Sequence, residues 1–206
     1  MWVFKMIKVF KVYFSHYSIK VYYLCICLLS IYLIYSGAIL KYCYMAAVPF
    51  VAPFYEWIVH QYFLHRPLYS TNKKIQDYYD SIHRNHHRAP KKLEWVFAPL
   101  AIGFLTPGIF FIIPFVISFN FQLSLTSSFF TLCYFVYYEW THLSHHIDVY
   151  VPFTKWGKLL KKSHTWHHHK NETYWWGVTN ILGDILLGTY KDPKDVSQSK
   201  TVRDLW

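Results

Sequence analysis

Residues 95–138, WVFAPLAIGFLTPGIFFIIPFVISFNFQLSLTSSFFTLCYFVYY, form a run of forty-four residues without a charge between Glu94 and Glu139. As helix this run would be about 66 Å long, twice the roughly 30 Å of a bilayer's hydrocarbon core, so it reads as two spans, about 96–118 and 122–141. Upstream, twenty uncharged residues separate Lys20 from Lys41, and residues 42–55 are again uncharged, with Pro49 and Pro53 set to bend whatever helix they occupy. These give a first hairpin, about 21–40 and 44–64. The expected fold is therefore all-α, a bundle of four transmembrane helices in two hairpins. A composition that is 54% hydrophobic and 22% aromatic agrees, being too apolar for an ordinary soluble domain.

The edges of these runs carry histidine clusters: HQYFLH (His60 to His65), HRNHH (His83 to His87), HLSHH (His142 to His146) and HTWHHH (His164 to His169). Imidazole is the commonest side-chain ligand for transition metals, and so many at a membrane surface point to a metal site. Of 21 Lys and Arg residues, four precede the first span, seven lie from Arg66 to Lys92 and nine follow residue 154, leaving only Lys41 in a hairpin tip. The positive-inside rule then puts the N-terminus, the middle segment and the C-terminus on the cytoplasmic side, with all four clusters. Residues 1–20, with Lys5, Lys8 and Lys11, read as a basic interfacial segment without a small-residue cleavage site, residues 21–191 as the membrane domain with a cytoplasmic helical cap, and 192–206 as a loosely ordered tail. Pro67 and Pro90 should stop the helices carrying the first two clusters, and Pro99, Pro107 and Pro114 should bend the third span.

A net charge of +10 raises nucleic acid as a partner, but no nucleic-acid-binding motif is present, and charges that set topology and meet anionic headgroups explain it better. Cys25, Cys27, Cys43 and Cys133 lie in or beside spans and form no CxxC pair, which fits packing.

In a helix, positions i, i+3 and i+4 share one face, so His83, His86 and His87 can point together, as can His164, His167 and His168, while His142 and His146 are one turn apart. His60 and His65, five apart, lie about 140° around an ideal helix and reach one site only if the helix ends between them or they serve different metals. Ten histidines exceed what one ion takes and suit two neighbouring ions. His145 and His169 read as supporting residues. Glu56, Asp80 and Glu139 precede His60, His83 and His142 by three or four residues, spaced to hold the second ring nitrogen of a ligating imidazole. A divalent-metal transporter is the alternative from another class, but the midplane of every expected span lacks His, Asp and Glu.

The clusters in this order, with YYEWTHLSHH (137–146) and HTWHHHKNETYWWGVTNILGDILLGTY (164–190), resemble the fatty acid hydroxylase superfamily, which also holds sterol desaturases and carotenoid hydroxylases. The resemblance spans roughly residues 45–191. It implies an integral membrane, non-haem di-iron oxygenase that uses O2, hydroxylating a fatty acid or the fatty-acyl chain of a lipid, with sterol desaturation or oxidation and carotenoid hydroxylation as the other activities of the superfamily. Carried over position by position, the ligands are His60, His65, His83, His86, His87, His142, His146, His164, His167 and His168, holding two iron ions or the zinc that often replaces them in a purified sample. The family more often has an aromatic residue at position 169 and an aliphatic or other residue at 145. There is no fused cytochrome b5 domain, so electrons would come from a separate cytochrome b5 or ferredoxin-type protein. The membrane would be the endoplasmic reticulum in a eukaryote and the inner membrane in a bacterium. Tyr134, Tyr137, Tyr138 and Trp140, with Tyr174, Trp175 and Trp176, form an aromatic belt suited to interfacial anchoring or to lipid entry.

Overall fold

A computed structural model describes residues 2–206; Met1 and the side chains at positions 2–6 and 8 lie outside it, and with them the interfacial expectation for Lys5 and Lys8. Among the described residues every regular element is helical and no strand is present. In chain order these are α1 (Trp2–Ser15), α2 (Tyr17–Tyr35), α3 (Ala38–Lys41), a 3-10 stretch Cys43–Val51, α4 (Ala52–Val59) and a π turn His60–Leu64. Next come α5 (Lys73–Tyr79), a second π turn Asp80–Arg84, α6 (Asn85–Arg88), a 3-10 turn Leu93–Trp95, α7 (Leu100–Ser118), α8 (Phe121–His146), α9 (Lys155–His169), α10 (Leu182–Leu186) and a 3-10 turn Pro193–Asp195. The described residues form two compact units, one of Phe10–Ala52 and Pro99–Trp140, the other of residues 2–9, Pro53–Ala98 and Thr141–Trp206.

The first unit holds the apolar helices. Tyr17–Tyr35 and Leu93–Ser118 are long and apolar enough to cross a membrane, yet only 22% and 11% of their apolar windows are buried. Burial that low separates them from the core helices of soluble proteins, because Leu28, Ile31, Ile34, Ile113, Val116 and Ile117 face outward. The other two expected spans do not meet the same test. Residues 44–64 are broken into 3-10, α and π segments, with Pro49 in the 3-10 stretch and Pro53 in the first turn of α4, where its missing N–H costs nothing. Helix α8 is continuous but rich in hydroxyls. Ser124, Thr126 and Thr131 are buried on it and return their protons to the carbonyls of Asn120, Gln122 and Ser127 at 2.8, 2.7 and 2.9 Å.

Inside this unit α2 and α7 touch because residue 103 has no side chain: a Cβ there would lie 1.8 Å from the hydroxyl of fully buried Tyr22. Leu33, Ala38, Tyr42 and Phe129 form its apolar cluster. The tip of the second hairpin falls where the sequence places it. Asn120 caps α8 by accepting from the Leu123 amide at 2.9 Å and donates to the Tyr42 hydroxyl at 2.8 Å.

The second unit gathers the histidine segments. The first two clusters end as Pro67 and Pro90 predict, with the last helical residues at Leu64 and Arg88. Asn72 caps α5 and Thr154 caps α9, each with a side-chain oxygen on a first-turn amide. The tail differs from expectation. Residues 197–206 are docked: Ser199 N donates to Lys170 O at 2.8 Å, Asn171 Nδ2 to Ser197 O at 3.1 Å, and Val202 is buried.

Candidate metal centre

The ten histidines sort into two groups of five. His60, His65, His83, His87 and His167 form one, and His86, His142, His146, His164 and His168 the other, the ligand nitrogens of each lying within 4.8 Å of one another. The groups adjoin, with the rings of His87 and His168 4.2 Å apart.

Helix geometry explains the sorting. His83 and His87, like His142 with His146 and His164 with His168, are i,i+4 pairs one above the other, and each pair serves one group. In HRNHH and HTWHH the i+3 histidine is turned aside by about 100° from its i+4 neighbour and goes to the other group, whereas in HLSHH that residue is His145, which joins neither. His86 thus leaves its segment for the second group, and His167 leaves α9 for the first. The three histidines of each run therefore do not share one site, as a common face had suggested. His60 and His65 do share one. Between them the backbone closes a π turn, His65 N to His60 O at 3.1 Å, and an i→i+5 bond stacks residues five apart.

The donor set fits a pair of transition-metal ions. In the first group His60 Nε2 is 3.1 Å from His83 Nε2, and His167 Nε2 is 3.2 Å from His65 Nε2. In the second, the Nε2 atoms of His142 and His86, His146 and His164, and His168 and His164 are 3.0, 2.9 and 3.0 Å apart. Metal–nitrogen bonds of roughly 2.1 Å at right angles put neighbouring donors about 3.0 Å apart. In five of the ten the second ring nitrogen fixes the tautomer. Nδ1 of His60, His167 and His87 meets the carbonyls of Trp176 (2.6 Å), Tyr174 (2.8 Å) and Val202 (3.0 Å), while Val96 and Pro90 take the same role for His142 and His146. A ring that donates from Nδ1 presents a lone pair at Nε2, and lone pairs converging at 3 Å repel unless a cation lies among them.

For His60 and His142 a backbone carbonyl thus occupies the place expected for Glu56 and Glu139. Glu56 is buried and accepts from Val178 N (3.1 Å), Thr179 N (3.0 Å) and Thr179 Oγ1 (2.5 Å). Asp80 pairs with Arg84 and Arg88 at 3.5 and 2.9 Å. Glu139 is buried on α8 one turn before His142. His145 turns its Nε2 to the Val178 carbonyl at 3.0 Å, whereas His146 lies in the second group. His169 is in neither group and faces Arg203 at 3.3 Å.

Two residues that spacing did not single out hold the loop 174–180 against the first group. Asp184, fully buried, accepts from Trp176 N (2.9 Å), Gly177 N (2.8 Å) and Thr189 Oγ1 (2.6 Å); the GD-x3-GT pattern of residues 183–189 was its only trace in the sequence. Trp175 adopts φ 59°, a left-handed conformation rare for a bulky residue, and this turn aims the carbonyls on either side of it at His167 and His60. Gly177 is required here, since a Cβ would stand 1.9 Å from Asn180 O. The Trp176 ring covers the group, 4.6 Å from His65 and 5.3 Å from His167. Beside the second group lies instead a polar pocket of about 90 Å³ lined by Pro90, Asp148, Lys161, His145 and His169.

Burial holds the imidazoles neutral, pushing His87 down to about 3 and His145 to about 4 from an ordinary 6.5. The folded chain therefore refuses protons that the unfolded chain takes up as pH falls below 6.5. Stability is intact above that value and is lost on acidification, by roughly 3 kcal/mol from His145 alone once pH 4 is reached. The metal-free protein in detergent is expected to unfold between pH 6.5 and 4, read by tryptophan fluorescence; a flat signal across that window would contradict the buried neutral cluster.

A solved structure of full-length Scs7p, in which only the hydroxylase domain is visible, superposes with a TM-score of 0.68 at 24% identity, covering 84% of this chain and 67% of that one. Among curated proteins no sequence matches. The family model described as fatty acid hydroxylase matches residues 45–189, which include all ten histidines of the two groups and the loop that covers them. By that match over more than two thirds of its length, the chain belongs to the fatty acid hydroxylase family.

Proposed function

We propose that this protein is a membrane-bound oxygenase that hydroxylates a fatty acid or the fatty-acyl chain of a lipid. Family membership supports lipid hydroxylation in general. The finer reading rests on one observation: two adjoining sets of five buried imidazoles whose Nε2 atoms converge at 2.9–3.2 Å. Such a set suits two irons held by all ten histidines.

The overall change consumes O2, two electrons and two protons, places one oxygen in a C–H bond and releases water. Bound irons would supply the redox chemistry that acids, bases and nucleophiles lack against an unactivated C–H bond. The chain's own contribution is rigidity and exclusion. Carbonyls of Tyr174, Trp176 and Val202 hold three imidazoles of the first group in the Nε2-free tautomer, and the Trp176 ring keeps water from that side. A separate cytochrome b5 or ferredoxin-type protein donates the electrons. The three uncharged runs cross the bilayer as four spans in two hairpins, with the histidine segments on the cytoplasmic face, in the endoplasmic reticulum of a eukaryote or the inner membrane of a bacterium.

Lipid mass spectrometry of cells expressing the wild type, His83→Ala or His167→Ala, with an electron donor supplied, tests this. A lipid gaining one oxygen only with the wild type is the expected result. Loss of two hydrogens instead would make the enzyme a desaturase, and turnover by either variant would remove the proposed site.

A further inference from the structure

The family match ends at residue 189, yet the first histidine group is completed by residues well beyond it. His87 Nδ1 meets the carbonyl of Val202 at 3.0 Å, and its Nε2 is buried with no hydrogen-bond partner. A neutral imidazole carries one proton. With that proton on Nδ1 and donated to Val202, Nε2 is left as a bare lone pair within the group.

The segment that carries Val202 is fastened at both ends. On one side Ser199 and Thr201 donate to the Glu172 carboxylate at 2.9 and 2.5 Å, just beyond the end of α9. On the other, Asp204 accepts from Arg84 at 2.7 Å and Arg88 at 2.9 Å, the two arginines that bracket His87. Arg84 also lies over the Trp206 ring at 5.0 Å. Between the anchors the Val202 side chain is 4% exposed. The Asp204 pairs are half in solvent, so each adds little by itself; the buried valine and the Glu172 hydroxyl bonds carry most of the attachment.

We propose that residues 197–206 are a positioning strap for the first histidine group: the Val202 carbonyl orients His87, and the strap sets how firmly that group keeps its ion. The inference rests on the reading of the ten histidines as a two-metal site. It concerns metal retention and is separate from the identity of the lipid.

The test uses the full chain in detergent loaded with cobalt(II) alone. Release to a chelator and the visible d–d absorption are followed for wild type, Val202→Asp, Val202→Ile and the exposed-site control Lys200→Ala. Orienting partners of metal ligands are worth about 10- to 100-fold in affinity. Val202→Asp, which cannot bury a charge in the strap's seat, is expected to release one of two ions at least about 10-fold faster, with the absorption of that ion altered. Val202→Ile and Lys200→Ala should match the wild type. Should Val202→Asp fail to fold, Thr201→Val combined with Asp204→Asn loosens both anchors without a buried charge and carries the same expectation. Two ions released at unchanged rates with an unchanged spectrum would overturn the strap's role, as would equal acceleration of both ions with a lowered melting temperature, which marks general support only. A wild type that takes up no cobalt would instead remove the two-metal reading, and the strap with it.

Discussion

His86→Ala is expected to abolish lipid oxidation, by at least about 100-fold, and to lower bound metal from two ions to one at saturating metal. His86 is the only ligand that the HRNHH segment sends to the second group, whereas the first group keeps all five of its imidazoles. His167→Ala should do the converse, emptying the first group and sparing the second. His169→Ala serves as the contrast: its ring lies outside both groups against Arg203, so two ions and activity are retained. Elemental analysis of the purified variants beside a lipid oxidation assay decides between these patterns. Two ions retained in His86→Ala would mean that the partition into fives is wrong.

The second large effect falls on stability. Asp184→Ala leaves the amides of Trp176 and Gly177 and the hydroxyl of Thr189 buried without their acceptor, which costs about 4 kcal/mol at 1–3 kcal/mol per orphaned group partly relaxed. Burial also pushes the Asp184 carboxyl up, against the three donors that favour its ionised form. Asp184→Asn, which still presents one acceptor oxygen, should lose less. Thermal melts in detergent measure both, and an unchanged midpoint in Asp184→Ala would show that the loop 174–180 is held by other means. Because the same loop supplies the carbonyls for His60 and His167, metal affinity of the first group should fall along with the melting temperature.

Much of the site was legible in the sequence because helical spacing and imidazole chemistry are both local. The ten clustered histidines, the helix stops at Pro67 and Pro90 and the hairpin tip near Asn120 follow from composition and period. The partition of the ten was not legible. The 100° between His86 and His87, or between His167 and His168, looks like one broad face until two ions stand side by side. Nor does any residue pattern announce a π turn, which is what brings His65 back over His60. Glu56, one turn ahead of His60, suggested a contact with that ligand, but the buried amides of Val178 and Thr179 claim it. The tail's order was hidden for a related reason: Ser199, Thr201 and Asp204 attach it by hydrogen bonds and ion pairs, which leave no hydrophobic period to read.

If two ions fill the two groups, the exchange of His86 and His167 between them would make metal loading a cooperative event. Both HRNHH and HTWHH would have to be in their final orientation for either ion to gain a full shell, so the first ion to arrive would order both runs and the second would meet a scaffold whose ordering entropy has already been lost. Coupling of this kind is reciprocal, and each ion therefore slows the departure of the other. Each group of five would then hold its ion more tightly with the other group filled than with it empty.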